Sequence, residues 1–273
     1  MLGREISQKV GQPVLVENKP GANGLIVTEQ VAKSPPDGYT VLLTSNSHLV
    51  NQFLYKKLPY DPIGDFKSVA LYKKVSPLVL VVAAGSPYRS IAEVTAAARA
   101  RPGKVSYASG NTSSRVGAEL YKQITRTDLL YVPYKGNPPA LADVAGGQVD
   151  VMFSDSTSPQ ALIRANKLRA LVVTGPDRLP DLPNVPTSTD AGMPELNIGS
   201  WGMLLLPRAT PDAIAERLNQ LVGEALASES AAKFFKESAS EPFFGSRADL
   251  DRFMASELEK WGAVIRRAGI EAE

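Results

Sequence analysis

The stretch Tyr107-Ala-Ser-Gly-Asn-Thr-Ser-Ser-Arg-Val-Gly-Ala-Glu-Leu-Tyr121 is the most informative part of the chain. Its pattern predicts a β-strand that ends in a Gly/Ser/Thr loop and runs directly into a helix. The first turn of a helix has backbone N–H groups without intrahelical partners, at the positive end of the helix dipole. Hydroxyl side chains surround this point: Ser109, Thr112, Ser113 and Ser114. The sequence therefore predicts a place that holds a carboxylate or another small anion without a catalytic group.

Outward from this junction, apolar runs alternate with helical patterns over most of the chain. The expected strands are Val14–Glu17, Thr40–Thr44, Leu78–Ala83, Val105–Ala108, Leu130–Tyr134, Val149–Phe153, Arg169–Val173 and Gly202–Leu206. The expected helices include Gly24–Lys33, Ser90–Arg101, Ser113–Thr125, Asn137–Ala145, Pro159–Ala165, Pro211–Ala227, Ser230–Glu237 and Arg247–Ala268. Such alternation is typical of an α/β fold with a parallel or mostly parallel sheet covered by helices.

Two strands are expected to cross between two lobes. They are Val105–Ala108 and a second segment at Ile198–Pro207. Residues 1–108 and 203–273 would then form the first lobe, and residues 109–202 the second. A chain of 273 residues is long enough for two such lobes. Two crossings permit hinge closure over a ligand.

The composition is that of a globular protein and excludes several functional classes. Hydrophobic residues make up 44% of the chain and charged residues 21%, and the net charge of +2 is spread without a basic stripe for nucleic acid. The chain has no cysteine, which rules out disulfides and thiolate nucleophiles. No apolar run reaches the roughly 18 residues that a membrane span needs.

Signatures of catalysis and of cofactor binding are missing as well. His48 is the single histidine, and the sequence offers it no partners for nucleophilic catalysis or for a metal. Neither a Gly-x-Ser-x-Gly elbow nor an HExxH motif occurs. No Gly-x-Gly-x-x-Gly fingerprint follows a strand. We therefore expect a binding protein that is not an enzyme and that uses no cofactor and no metal.

Several segments, in order and spacing over nearly the whole chain, resemble the Bug/TctC family. This family comprises the extracytoplasmic solute receptors of tripartite tricarboxylate transporters. The resembling segments are Val16-Glu-Asn-Lys-Pro-Gly-Ala-Asn-Gly24, Pro36-Asp-Gly-Tyr-Thr-Val-Leu-Leu43, Leu58-Pro-Tyr-Asp-Pro62 with Asp65-Phe66, Val132-Pro-Tyr-Lys-Gly136, Gly146-Gly-Gln-Val-Asp-Val-Met-Phe153, Lys167-Leu-Arg-Ala-Leu171, Asp181-Leu-Pro-Asn-Val-Pro-Thr187, and Trp201 followed by Pro207 and Thr210-Pro211.

The resemblance implies a type II periplasmic binding protein fold, an α/β fold of two lobes with mostly parallel sheets joined by two crossing strands. It implies capture of a small carboxylate (a mono-, di- or tricarboxylate or an amino acid) in an interlobe cleft. Backbone amides and hydroxyls would hold the ligand, and the receptor would deliver it to the membrane permease subunits of the transporter. It further implies a periplasmic monomer that binds no nucleic acid.

The sequence departs from the family pattern in two places. Family members carry an N-terminal strand and a Pro-Phe-x-x-Gly-Gly-type loop before the helix with which this chain begins. The resemblance therefore implies that this strand, this ligand loop and an export leader lie outside the 273 residues. Arg115 stands where relatives often carry a histidine, in the first turn of the site helix.

The principal candidate ligand residues follow the strand Val105–Ala108: Ser109, Gly110, Asn111, Thr112, Ser113 and Ser114. The alternative is a surface turn in which Thr112 or Ser113 merely caps the helix. Ser45, Asn46 and Ser47 form the analogous loop in the first lobe, and the alternative there is a polar cap with His48 packed at the surface.

Four further positions carry weaker signals. Gly136 and Asn137 follow a strand end and are expected to offer backbone or amide contacts. Asp155 follows the strand Val149–Phe153 and would accept a hydrogen bond from an ammonium or hydroxyl group of the ligand. An Asx-type cap explains Asp155 equally well. Trp201 would line the ligand site or pack in the core.

A second functional interpretation stays open at this point. Effector domains of LysR type resemble the same bilobal fold. A ligand-sensing domain that signals to a partner protein, without transport, would therefore show a similar pattern of strands and loops.

Overall fold

The computed structural model describes residues 1–19, 21–237 and 241–272. The chain divides into two compact units. Unit 1 comprises residues 1–75, 201–261 and the C-terminal end, and unit 2 comprises residues 76–200 and 262–271. The chain passes from one unit to the other after Val75, after Ser200, after Trp261 and after Glu271.

Helices and strands follow one another along the described chain. Helices are α1 (Leu2–Val10), α2 (Leu25–Ala32), α3 (Ser47–Leu54), α4 (Ile91–Ala100), α5 (Thr112–Thr125), α6 (Asn137–Ala145), α7 (Gln160–Arg164), α8 (Asp212–Leu226), α9 (Glu229–Glu237) and α10 (Arg247–Arg267). Strands are β1 (Leu42–Ser45), β2 (Phe66–Ala83), β3 (Ser106–Ser109), β4 (Leu130–Pro133), β5 (Val151–Asp155), β6 (Leu168–Val173) and β7 (Gly199–Pro207). A 3₁₀ turn at Ala22–Gly24 leads into α2.

In unit 1, the central strand β7 buries both of its faces. It pairs antiparallel with β1, with Leu42 opposite Leu205. Met203 and Leu205 pack in one apolar cluster with residues of α2, α3 and α10. Leu204 and Leu206 pack in another with residues of α1, α8 and α9. Because successive side chains of a strand point to opposite faces, this alternation places helices on both sides of the strand pair.

In unit 2, β3 lies between two parallel neighbours, β4 and β5. The second part of β2 pairs antiparallel with β5 and with β6. One face of this sheet packs against α6 through Ala140, Leu141 and Val144. On α5, Gly117 allows a close approach to the sheet, since a Cβ there would lie 2.9 Å from Cδ1 of Leu78.

The structure corrects three expectations. Val14–Glu17 is not a strand, and Leu15 in it is 85% exposed. Parallel pairing was expected for most of the sheet. Among the strand pairs whose register is described, it is found only for β3 with β4 and β5, and an isolated parallel bridge joins Val173 of β6 to Thr187. The sheet is therefore mixed. The expectation was wrong because an apolar run indicates a strand but not its direction.

The third correction concerns the boundaries between the two parts of the chain. The first crossing lies within β2, after Val75, and not at Val105–Ala108. Residues 76–108 therefore belong to unit 2, although the sequence placed them in the first lobe. The crossing within β7 falls after Ser200, two residues before the expected end of the second lobe at residue 202.

Candidate ligand-binding site

The loop between β3 and α5 is built around the side chain of Asn111. Asn111 has an extended backbone (φ −160°) and is the N-cap of α5. Its Oδ1 accepts a hydrogen bond from the backbone N–H of Ser114 at 2.9 Å. Asparagine is among the best N-cap residues because its short side chain reaches the free N–H groups of the first turn. The residue that caps α5 is therefore Asn111. The alternative interpretation of the sequence, a cap at Thr112 or Ser113, is wrong.

The hydroxyl residues of this loop are buried. Ser109, Thr112, Ser113 and Ser114 are between 0% and 4% exposed. The Ser109 hydroxyl donates to the carbonyl of Asn111 at 3.0 Å, and the Ser114 hydroxyl donates to the carbonyl of Ala108 at 3.4 Å. Such burial is inconsistent with an ordinary surface turn. The loop is instead fixed by its own hydroxyl groups.

A second loop, before α6, touches the first one backbone to backbone. A Cβ on Gly110 would lie 2.4 Å from the carbonyl carbon of Gly136 and 2.5 Å from the nitrogen of Asn137. Nearby, the N–H of Tyr134 donates to the carbonyl of Ser109 at 2.8 Å. Only glycine at position 110 permits this approach.

A third loop, after β5, joins the other two through side chains. Asp155 Oδ2 accepts from Nδ2 of Asn137 at 2.5 Å. Oδ1 of Asn137 in turn accepts from Nδ2 of Asn111 at 3.2 Å. The three strand-end loops of unit 2 are thus connected by one row of hydrogen bonds, which we call the Asn–Asn–Asp row (Asn111, Asn137 and Asp155).

Asp155 also closes the turn that follows it. Its Oδ1 accepts from the N–H and the hydroxyl of Thr157 at 3.1 and 2.6 Å and from the N–H of Ser158 at 2.9 Å. Its Oδ2 accepts from the Ser158 hydroxyl at 2.8 Å. These contacts correspond to the Asx-type cap that the sequence offered as the alternative to a ligand contact.

The structure thus brings together Ser109, Gly110, Asn111, Thr112, Ser113, Ser114, Gly136 and Asp155 in unit 2. Sequence reasoning missed the central role of Asn137, which bridges two loops. The sequence signal for this bridging role is an asparagine directly before Pro138-Pro139 at a helix start. Its side-chain amide carries both a donor and an acceptor, so it can join two loops.

The candidate loop of unit 1 has a different geometry. Asn46 precedes α3 with a helical backbone (φ −52°), and its side chain makes no capping hydrogen bond. The hydroxyl oxygens of Ser45 and Ser47 lie 3.0 Å apart and share a hydrogen bond. Asn46 is buried, and the two serines are half-buried.

His48, which follows this loop, is buried and not packed at the surface. Its Nε2 lies 2.8 Å from the carbonyl oxygen of Pro62. Since a carbonyl only accepts, Nε2 carries the proton, and the buried Nδ1 has no hydrogen-bond partner. Tyr60 stacks on the ring and Phe66 meets it edge-on. Burial lowers the pKa of His48 to about 4, against a smaller opposing effect of the hydrogen bond to Pro62.

Two other candidates have structural partners. The guanidinium of Arg115 lies over the ring of Tyr131, 5.2 Å from its centroid. Trp201 is buried in the core of unit 1, and its indole N–H donates to Oε2 of Glu257 at 2.7 Å. Trp261 donates to the same oxygen at 2.9 Å. Core packing, one of the two alternatives for Trp201, is thus what the structure shows.

The part of the chain that the structure describes contains no group of three or more acidic or histidine side chains able to hold a metal ion. Over the same residues, no helix is both long and apolar enough to cross a membrane.

Comparison with known proteins defines the class. A structure of R. palustris Rpa4515 with adipate has a TM-score of 0.95 and 32% identity, covering 100% of this chain and 92% of that one. A structure of MatC from Rhodopseudomonas palustris with bound malate has a TM-score of 0.91 and 28% identity, covering 97% and 92%. The fold is that of the periplasmic solute-binding proteins.

The family follows from the sequence. The model of TctC, the tripartite tricarboxylate transporter family receptor, matches residues 1–270. The protein BugT of Bordetella pertussis is 34% identical over 98% of this chain and 83% of its own length. The chain belongs to the TctC family of solute-binding receptors. Members of this family are receptor proteins and not enzymes, and the family is periplasmic.

Proposed function

We propose that the protein captures a small carboxylate, which is a mono-, di- or tricarboxylate or an amino acid, with the strand-end loops of unit 2. The observation that best supports this is the N-terminus of α5, which the Asn–Asn–Asp row ties to two other loops. A helix N-terminus attracts an anion by about 1 kcal/mol through its dipole and adds hydrogen bonds from its N–H groups. The adipate and malate in the two related structures support this ligand class.

In this proposal Ser109, Gly110, Asn111, Thr112, Ser113, Ser114 and Gly136 surround the ligand in unit 2. Ser45, Asn46 and Ser47 are proposed as donors from unit 1. All these groups are neutral amides and hydroxyls. The carboxylate would therefore be held by hydrogen bonds and by the α5 dipole without an arginine clamp.

We also propose that the protein works in the periplasm as a monomer and passes the acid to the membrane permease subunits of a tripartite transporter. Membership in the receptor family supports this role. The ligand leaves the protein chemically unchanged.

Calorimetry of the full chain with adipate, malate and succinate tests the proposal. Two cap variants serve as a matched pair. Asn111→Ala removes the cap of α5 at the site, and Ser90→Ala removes the cap of α4, where the Ser90 hydroxyl accepts from the N–H of Glu93 at 3.2 Å. Ser90→Ala should lose about 1 kcal/mol of unfolding free energy, because it removes one N-cap. Asn111→Ala should lose more, because it also removes the hydrogen bond to Asn137.

Only Asn111→Ala should also weaken binding, by about tenfold, since only this cap shapes the proposed site. Absence of heat with all three acids at millimolar concentration would contradict carboxylate capture. Equal affinities of the two variants would remove the α5 loop from the site.

A further inference from the structure

Asp155 has little capacity left for a ligand. Two carboxylate oxygens offer about four lone-pair positions. Five donors already point at them: the N–H and hydroxyl of Thr157, the N–H and hydroxyl of Ser158, and the side-chain amide of Asn137. An ammonium or hydroxyl group of a ligand would have to displace one of these donors.

The same carboxylate decides how two asparagine side chains are oriented. An ionised aspartate only accepts hydrogen bonds, so Asn137 must turn its NH₂ group toward Asp155. The Asn137 oxygen then faces Asn111 and accepts from its NH₂ group. This leaves the Asn111 oxygen directed at the N–H of Ser114, in the first turn of α5.

We infer that Asp155 is a positioning residue for the ligand site, acting through Asn137 and Asn111 on the N-terminus of α5, and not an acceptor for the ligand. The inference rests on the proposed carboxylate-binding function. It assigns the carboxylate a role that its own charge would not suggest, because a negative group among these loops repels an anionic ligand. Removing the negative charge of Asp155 should therefore raise the affinity for an anionic ligand. Losing its effect on the orientation of Asn137 should lower that affinity.

The test compares Asp155→Asn with wild type by calorimetry, using succinate and malate. The two acids differ by one hydroxyl group, which is the kind of donor that a ligand-facing aspartate would accept. If Asp155 is a positioning residue, Asp155→Asn should weaken the binding of both acids equally, by about tenfold. The reason is that an amide at position 155 no longer fixes the orientation of Asn137. A loss confined to malate would show direct contact and overturn the inference. Unchanged or tighter binding of both acids would overturn it too.

The matched control is Asp143→Asn on α6. Asp143 accepts a hydrogen bond from the Tyr134 hydroxyl at 2.6 Å and lies outside the Asn–Asn–Asp row. This variant makes the same chemical change in the same unit and should leave both affinities unchanged. A loss equal to that of Asp155→Asn would mean that any lost carboxylate in unit 2 has the effect, which contradicts the inference.

A double-variant cycle separates positioning from simple closure of the turn after β5. If Asp155 acts through Asn137, then Asp155→Asn should add almost no further loss of affinity in an Asn137→Ala background. Additive losses would mean that the two residues act independently, and the row would then not transmit the effect.

A readout without ligand keeps this inference distinct from the proposed function. Hydrogen exchange of the Ser114 backbone N–H should be faster in Asp155→Asn and unchanged in Asp143→Asn. If wild type binds none of the acids, the proposed function fails while the exchange result still decides whether Asp155 fixes the α5 terminus. Equal exchange of Ser114 in wild type and Asp155→Asn would refute the positioning role.

Discussion

The loops Ser45–Ser47 and Ser109–Ser114 resemble each other in sequence and differ in structure. Each follows a strand, contains one asparagine among serines and leads into a helix. In unit 2 the asparagine is extended and its side chain caps α5. In unit 1 the asparagine is already helical, and its side chain does not cap α3. Residue types suited to capping therefore indicate a helix start, while the backbone angle of the asparagine decides whether the cap forms.

The two loops also differ in what holds them. The unit 2 loop is held by backbone contact between Gly110 and Gly136 and by the Asn–Asn–Asp row. The unit 1 loop leads directly into a buried aromatic group of His48, Tyr60 and Phe66. We therefore expect an added side-chain atom to destabilise the unit 2 loop. We expect the stability of the region around the unit 1 loop to depend on pH.

The largest expected effect comes from Gly110→Ala. The new methyl group would lie within 2.5 Å of backbone atoms of Gly136 and Asn137, which cannot move aside like a flexible side chain. The cost in unfolding free energy should be about 3–5 kcal/mol, at or above the usual range for overpacking. Urea unfolding measures this loss, and calorimetry should show binding of adipate weakened by more than about tenfold.

Gly85→Ala is the control, because a Cβ there meets no atom within 4 Å. Neither glycine has a positive φ, so backbone strain does not distinguish them. Gly85→Ala should change stability by less than about 1 kcal/mol and leave binding intact. Similar stabilities of the two variants would show that the contact between the unit 2 loops is unimportant.

A pH effect of intermediate size is expected from His48. The pKa of its ring is about 4 in the folded protein and about 6.5 when unfolded. Between these values the unfolded chain binds a proton that the folded protein does not, so stability falls as the pH is lowered. The loss should reach roughly 2 kcal/mol between about pH 7 and about pH 4.5. Urea unfolding at the two pH values measures it.

The control for this titration is His48→Gln. A glutamine amide keeps a donor for the carbonyl of Pro62 but does not titrate. Other groups that titrate in this range affect both proteins alike, so the difference between wild type and variant isolates His48. A difference that stays constant from pH 7 to pH 4.5 would contradict burial of a neutral ring.

Local features were readable from the sequence, and distant pairings were not. The sequence predicts α6 with its observed bounds, Asn137–Ala145, and places the start of α5 one residue late. These predictions rest on apolar periodicity and on helix-end signals within a few residues. β2 was recognised only from Leu78 onward, because charged and polar residues interrupt the earlier part of this 18-residue strand.

The candidate site shows the same limit. Asn111 and Asp155 were identified singly, as polar residues after strands. Their connection through Asn137 depends on the order of β3, β4 and β5 in the sheet, which the apolar pattern does not specify. The contact of Gly110 with Gly136 depends on the same strand order. The sequence therefore identifies Gly110 as a candidate but does not show why glycine is required there.

The smallest expected effect tests whether the unit 1 loop contributes to binding at all. Ser47→Ala removes one half-buried hydroxyl, which shares a hydrogen bond with Ser45 at 3.0 Å. Loss of one neutral hydrogen bond to a ligand should weaken adipate binding by about twofold to fivefold. Ser34→Ala removes a hydroxyl that donates to the carbonyl of Val31 at 2.8 Å in the same unit, after the end of α2, and should leave affinity unchanged. Calorimetry that finds both variants equal to wild type would remove the Ser47 hydroxyl from the proposed ligand contacts and leave Ser45 and Asn46 as the candidates in unit 1.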